Sequence, residues 1–306
     1  MFGSEIRTKS QVKVVSEKTS ALYLRLRENE PDPPERLFHY TNSQGLLGIV
    51  TSQKLWASHA DFLNDSSEPE YAFDVLKDSL NEIARGLEHA SIAARWLSGV
   101  WDYIDDEYKK HGPHVYVSCF CEDGDLLSQW RGYGGQCAGY ALGVSGPGLR
   151  KLLIPGQGQF MMKIVYDKQK QRDEAKHVLE QIVSIANEVE TSLPDTEAAS
   201  IGGLLRSAIF AEVIRLRAKF KMKAFEEERE WRIVQFMPSA SDVKFRANAE
   251  VIKPYLELDP GKLPIDQVTI GPTRDKSLSS QSLNLLFTNY GYSNLCLEKS
   301  GVPYRQ

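Results

Sequence analysis

The chain has 306 residues, 42% hydrophobic and 25% charged, enough to bury a substantial core in one large domain or two modest ones. Thirty-seven basic and 41 acidic side chains leave a formal charge of -4, which excludes a global field drawing the molecule onto nucleic acid or an anionic membrane. Four cysteines, Cys119, Cys121, Cys137 and Cys296, are too few and too irregularly spaced for a disulfide framework in a chain this long.

The start Met-Phe-Gly-Ser-Glu-Ile-Arg lacks a secretory pattern, and no apolar stretch approaches the ~20 residues needed to span a bilayer. A cytoplasmic protein with reduced thiols and no membrane partner is expected. Residues 1–35 read as a helical and extended arm, closed by Glu30-Pro31-Asp32-Pro33-Pro34, whose prolines stop any helix. Leu37 to Tyr40 reads as a strand, Asn42 to Thr51 as a short helix with Leu46, Leu47 and Val50 at helical spacing, and Leu55 to Ser58 as a second strand. Cap-type residues and acids from Asn64 to Glu70 open a helix that continues from Tyr71 to Ala84, and another is expected over roughly Ser91 to Lys110. Val115 to Cys121 is the clearest strand of the first half, and Ala138 to Val144 is expected to pair near it. Between them, Leu127 to Gly135 reads as a helical turn running into a glycine loop.

Phe160 to Tyr166 is a further strand. Two helices follow, one with Val178, Ile182, Ile185 and Val189 on a face, the other with Leu205, Ile209, Val213, Leu216 and Phe220. They form a predicted hairpin, an insertion at about 168–224 packed on the sheet. Glu230 to Met237, Val251 to Leu258 and Val268 to Ile270 supply strands, Ser277 to Asn289 a final helix, and Leu295-Cys296-Leu297 a last extended piece. The fold class is α+β, a single domain over 36–306 built on a mixed sheet or a split pair of sheets with flanking helices.

Several residues carry candidate chemistry. His39 sits where a short strand meets a turn, so its imidazole faces a cleft if Phe38 and Tyr40 point the other way. Glu228 and Glu230 alternate with Arg229 and Trp231, and period-two geometry would put both carboxylates on one face, an arrangement that implies a polar cleft. Trp130 and Tyr133 beside a glycine loop offer aromatic surfaces for a planar ring. Arg131 or Arg232 suits a bidentate pyrophosphate contact, or else pairs with the nearby glutamates. His111, His114, Cys119 and Cys121 mix zinc-ligand types, against a reading of the two cysteines as small hydrophobes on one strand face. The run Arg215, Arg217, Lys219, Lys221 and Lys223 ends a helix, where cations offset the dipole, and its spacing spreads the charges round the helix. Walker, dinucleotide-binding, nucleophile-elbow and His-Glu-x-x-His motifs are missing, which argues against the common nucleotide hydrolases, Rossmann enzymes and zinc proteases.

Taken in order, Leu37-Phe38-His39-Tyr40-Thr41, Leu55-Trp56-Ala57-Ser58, Asn64-Asp65-x-x-Glu68, Trp130-x-x-Tyr133 with Gly139-Tyr140-Ala141, Glu228-x-Glu230-Trp231-Arg232, Ile270-Gly271-Pro272 and Ser300-Gly301-Val302-Pro303-Tyr304-Arg305 resemble a bacterial family known only as a domain of unknown function. The resemblance runs from about Phe38 to Arg305. More distantly, the pattern is similar to that of ADP-ribosyltransferases. That likeness implies their mixed or split sheet core, NAD as co-substrate, no metal, and a macromolecular acceptor, protein or nucleic acid. It implies that His39 holds a ribose hydroxyl, with Tyr40, Thr41, Ser118 and Arg131 as further NAD contacts. Trp130 or Tyr133 would clasp nicotinamide, and Glu230, with Glu228 as the alternative, would bond the nicotinamide ribose. The sequence departs from that pattern in lacking a clear serine-threonine-serine or paired-tyrosine motif, for which Ser118 stands in only partly. Resemblance to stand-alone bacterial transferases further implies a toxin or antiphage effector with a regulatory or antitoxin partner.

Two rivals belong to other classes. A non-catalytic nucleotide or nucleic-acid sensor would use the same cleft only to bind. A metal-dependent nuclease would need Asp65, Glu68, Glu228 and Glu230 brought together.

Overall fold

The computed structural model describes residues 2–63, 68–87, 92–111, 115–133, 139–154, 158–190, 195–236, 238–247, 251–273 and 275–303. A leading helix α1 (Phe2–Glu28) gives way before the prolines to strand β1 (Arg36–Asn42). Helix α2 (Ser43–Ser52) is capped by the Asn42 side chain, which accepts from the Gly45 amide at 2.9 Å, and ends at Gln53 in a left-handed conformation (φ 57°). Strand β2 (Leu55–His59) and a 3₁₀ turn (Ala60–Phe62) follow, then α3 (Glu68–Gly86). The single helix expected over Ser91 to Lys110 is two, α4 (Ile92–Leu97) and α5 (Val100–His111), because Gly99 takes a φ of +72° between them.

Strand β3 (Val115–Phe120), helix α6 (Leu127–Tyr133), strand β4 (Gly139–Ser145), helix α7 (Gly146–Leu152) and strand β5 (Gln159–Lys163) come next. The long helices α8 (Lys168–Glu190) and α9 (Asp195–Arg217) lead to a 3₁₀ turn (Lys223–Glu228) and strand β6 (Trp231–Phe236). Strands β7 (Lys244–Ala247), β8 (Ile252–Leu258) and β9 (Ile265–Ile270), helix α10 (Lys276–Asn289) and strand β10 (Cys296–Lys299) complete the chain. Among the described residues no helix is long and apolar enough to cross a membrane.

The chain divides into two compact units. One is helical: Met1–Glu30, Ser67–His114 and Val165–Lys223. The helices expected as an arm and as an insertion both fall in it, with α3, α4 and α5. Leu205, Ile209, Val213 and Leu216 are buried there as the spacing predicted, while Phe220, also buried, lies beyond the end of α9.

The basic run at the end of α9 departs from expectation. Arg215, Arg217, Lys219 and Lys221 are buried, not spread round the end of one helix. The helix stops at Arg217, and the following turn and the Val165–Phe220 bridge take the later lysines off helical geometry. Arg215 and Lys219 meet Glu30, Glu174 and Glu212, and Arg217 lies over the Phe73 and Tyr108 rings at 4.8 and 5.0 Å.

The other unit, Pro31–Ser66, Val115–Ile164 and Ala224–Gln306, holds both sheets. One has the order β1-β4-β9-β10, the other β5-β6-β3-β2-β8-β7. This is the α+β, two-sheet architecture expected. Strand β4 pairs with β1 and β9 and not beside β3: its first six positions are buried on both faces, as suits an interior strand. Phe38 and Cys121 exchange two backbone hydrogen bonds of 2.8 Å, which tie β1 to the end of β3 and so link the sheets. Leu37, Leu142, Val268, Phe120, Trp231 and Ile233 belong to one core cluster, to which both sheets contribute.

Candidate functional site

The end of β3 neighbours both β1, the strand that carries His39, and the start of β6, which follows Glu230. Along β1, Phe38 and Tyr40 point into a small cluster with Cys121, Trp130 and Ala141, while His39 takes the opposite face. The His39 ring is half-buried and tilted against Phe120 with centroids 5.4 Å apart. Its Nδ1 lies 2.8 Å from the Cys119 carbonyl oxygen. A carbonyl only accepts, so Nδ1 carries the hydrogen and the Nε2 of the neutral ring keeps its lone pair. Burial lowers the His39 pKa; the bond to Cys119 opposes the shift, and the nearby Arg246 charge reinforces it. The ring is therefore neutral at physiological pH, with one defined tautomer.

On the neighbouring strand, Cys119 stands in register with Arg232. Arg232 grips Glu230 with a two-pronged contact, Nε to Oε1 at 2.7 Å and Nη2 to Oε2 at 3.1 Å. Glu230 is 3% exposed and Arg232 1%, so the pair is an internal ion pair. Of the two roles read for Arg232, pairing with a glutamate is the one realised. The expected shared face for Glu228 and Glu230 is not found. Glu228 ends a 3₁₀ turn, Arg229 adopts a positive φ of 43°, and the strand starts only at Trp231, so period-two alternation does not reach back to Glu228.

Trp130 needs a larger correction. It is 2% exposed, its Nε1 donates to Asp125 Oδ1 at 2.7 Å, and the Tyr40 ring meets it edge-on at 4.7 Å. A ring so enclosed is a core plug and offers no face to nicotinamide. Arg131 and Tyr133, on the same helix, are exposed. The Tyr40 hydroxyl is likewise spent on the backbone, donating to the Asp123 carbonyl and accepting from the Leu126 amide, both at 2.9 Å. Thr41 is half-buried beside Tyr140 in register. Ser118 faces Ile233 in the core, and its buried hydroxyl has no hydrogen-bond partner among the described residues.

Sequence reasoning passed over the acidic loop Glu122-Asp123-Gly124-Asp125. Glu122 accepts from Trp231 Nε1 and Lys163 Nζ, each at 2.9 Å. Burial alone would raise its pKa, but these two donors and the Lys163 and Arg229 charges outweigh it and hold the carboxyl below its ordinary value. Asp125 also receives the Ser300 hydroxyl at 2.5 Å and the Gly301 amide at 2.8 Å, tying the C-terminal segment to this loop. The available signal was the Asp-Gly-Asp spacing, in which the Asp123 side chain accepts from the amide two residues on.

Asn64, Asp65, Tyr304 and Arg305 lie outside the described residues, and Glu68, the first residue of α3, belongs to the helical unit. Of the zinc set, His114 also lies outside them, Cys121 is buried and Cys119 is half-buried. Among the described residues no three His, Cys, Asp or Glu side chains converge as a metal site. No curated protein matches the chain, and no solved structure does. A family model described as "Protein of unknown function (DUF2971)" matches residues 129–233, a span that starts at α6 and ends within β6, taking in Trp130, Glu230 and Arg232 but not His39.

Proposed function

We propose that the sheet unit binds NAD and breaks its nicotinamide-ribose bond, transferring ADP-ribose to a protein or nucleic-acid acceptor. The observation that carries this reading is His39: a neutral imidazole of fixed tautomer at the junction of two sheets, whose Nε2 suits acceptance of a hydrogen bond from a ribose hydroxyl. In the proposed reaction the electron pair of the bond leaves with nicotinamide, and positive charge develops on the sugar. Glu230 opposes that charge, more strongly in the transition state than before it. An acceptor oxygen or nitrogen then bonds the sugar carbon and gives up its proton; water in that place would make the chain an NAD glycohydrolase. No metal is needed for these steps, and a toxin or antiphage effector is the proposed setting.

One observation favours a second reading, a binding module without chemistry. Both Glu230 oxygens are engaged by Arg232, and the ring proposed to hold nicotinamide is enclosed. Titration of NAD into wild type and His39→Ala, with nicotinamide release followed alongside, separates the two. A His39-dependent affinity with release supports the transferase, the same affinity without release supports the binding module, and an affinity unchanged in His39→Ala removes the cofactor assignment.

A further inference from the structure

Arg246, on β7, is a half-buried cation. Its Nη2 donates to the Ser58 hydroxyl at 2.8 Å, and its guanidinium lies 5.4 Å from the Trp56 ring and 5.5 Å from the Tyr255 ring. Among the described residues no carboxylate pairs with it. The acid sharing this face by register, Glu257, is already taken by Lys244 at 2.6 Å and Lys54 at 3.4 Å. Lys253 stands opposite Arg246 in the β7–β8 register, and its Nζ donates to the Phe62 carbonyl at 2.9 Å. The buried Trp56 Nε1 is a further donor with no partner among the described residues.

Aromatic rings, a hydroxyl and a guanidinium with no carboxylate partner among the described residues, on one face, describe a site for an anion with several acceptor oxygens. Burial lowers the Arg246 pKa, a cost that a bound anion would relieve. The Arg246 charge also acts on His39, which puts such an anion in the electrostatic neighbourhood of the proposed ribose contact. Arg232, one of two arginines read from sequence as pyrophosphate partners, is committed to Glu230.

We infer that Arg246, with Ser58, receives the pyrophosphate of the dinucleotide bound at His39. The assignment rests on the NAD reading for its ligand, but not on catalysis. Full-length wild type, Arg246→Gln, Arg246→Lys and Ser58→Ala are titrated calorimetrically with ADP and with adenosine, after circular dichroism has verified folding. Wild type should bind ADP, and Arg246→Gln should weaken it by about tenfold or more while leaving adenosine unchanged. Arg246→Lys should recover only part, since it keeps the charge and loses the fork. In wild type, ADP should raise the His39 pKa followed by NMR, because it cancels the guanidinium charge; in Arg246→Gln that rise should vanish. Equal ADP affinity in wild type and Arg246→Gln, no ADP binding at all, or a parallel loss of adenosine binding would overturn the inference. Arg246-dependent ADP binding without nicotinamide release would sink the transferase and spare this site. Release with unchanged KM in Arg246→Gln would do the reverse.

Discussion

Replacing Arg215 with methionine should cost the helical unit far more than an average substitution. Arg215 is 4% exposed, and its Nε donates to Glu212 Oε2 at 2.7 Å, with Glu30 and Glu174 at 3.7 and 3.8 Å from its other nitrogens. Burial opposes its charge, but the surrounding carboxylates outweigh that and hold its pKa above the ordinary value. Glu212, itself 2% exposed, has Arg215 as its hydrogen-bonded cation, so removing Arg215 leaves that buried carboxylate only the through-space charge of Arg27. Breaking a buried pair from one side costs about 3–5 kcal/mol, whereas replacing both partners with apolar groups is often neutral. With a urea dependence of about 2 kcal/mol/M, the midpoint should fall by ~2 M in Arg215→Met and largely recover in Arg215→Met/Glu212→Leu. Urea titration followed by amide hydrogen exchange in α8 and α9 reads the effect in the right unit. A single variant within about 1 kcal/mol of wild type, or a double variant as unstable as the single, would refute the reasoning.

Asp125→Ala should destabilise the sheet unit by about 2–4 kcal/mol, since it strands the buried Trp130 Nε1 and releases Ser300 and Gly301. Thermal unfolding with tryptophan fluorescence checks this, and an unchanged midpoint would mean that the loop is held by other contacts. Glu122 titrates below its ordinary value of 4.5 when folded, so its contribution is present above that pH and is lost as the pH falls through the lowered folded value. Glu122→Gln should therefore flatten the stability profile in the acid range, and an identical acid slope in both proteins would contradict the assignment.

Much of the fold was legible because local signals agreed with it. The Asn42 cap, the prolines after Glu30 and the β-branched and aromatic run of β3 each have one dominant local cause. The pairing of β4 was not legible, because a strand buried on both faces carries no alternation to say which neighbour it takes. For the candidate residues, strand face was legible and environment was not. His39 faces away from Phe38 and Tyr40 as alternation predicted, yet Trp130 is enclosed through Asp125, five residues earlier, which periodicity does not register. Glu228 was misplaced because one positive φ at Arg229 breaks the period. The buried charges at and after the end of α9 were read as cations offsetting the helix dipole because their partners Glu30 and Glu174 are distant in sequence.

The central claim is NAD cleavage, and it is tested by incubating the pure full-length chain with NAD labelled on the adenosine side, in separate pools of protein, DNA and RNA. Free nicotinamide and transferred label are both monitored, and Glu230→Gln is run in parallel after its fold has been verified. The account predicts nicotinamide release by wild type, label on one class of acceptor, and loss of both in Glu230→Gln. No release by wild type in any pool, or undiminished release by Glu230→Gln, would contradict it.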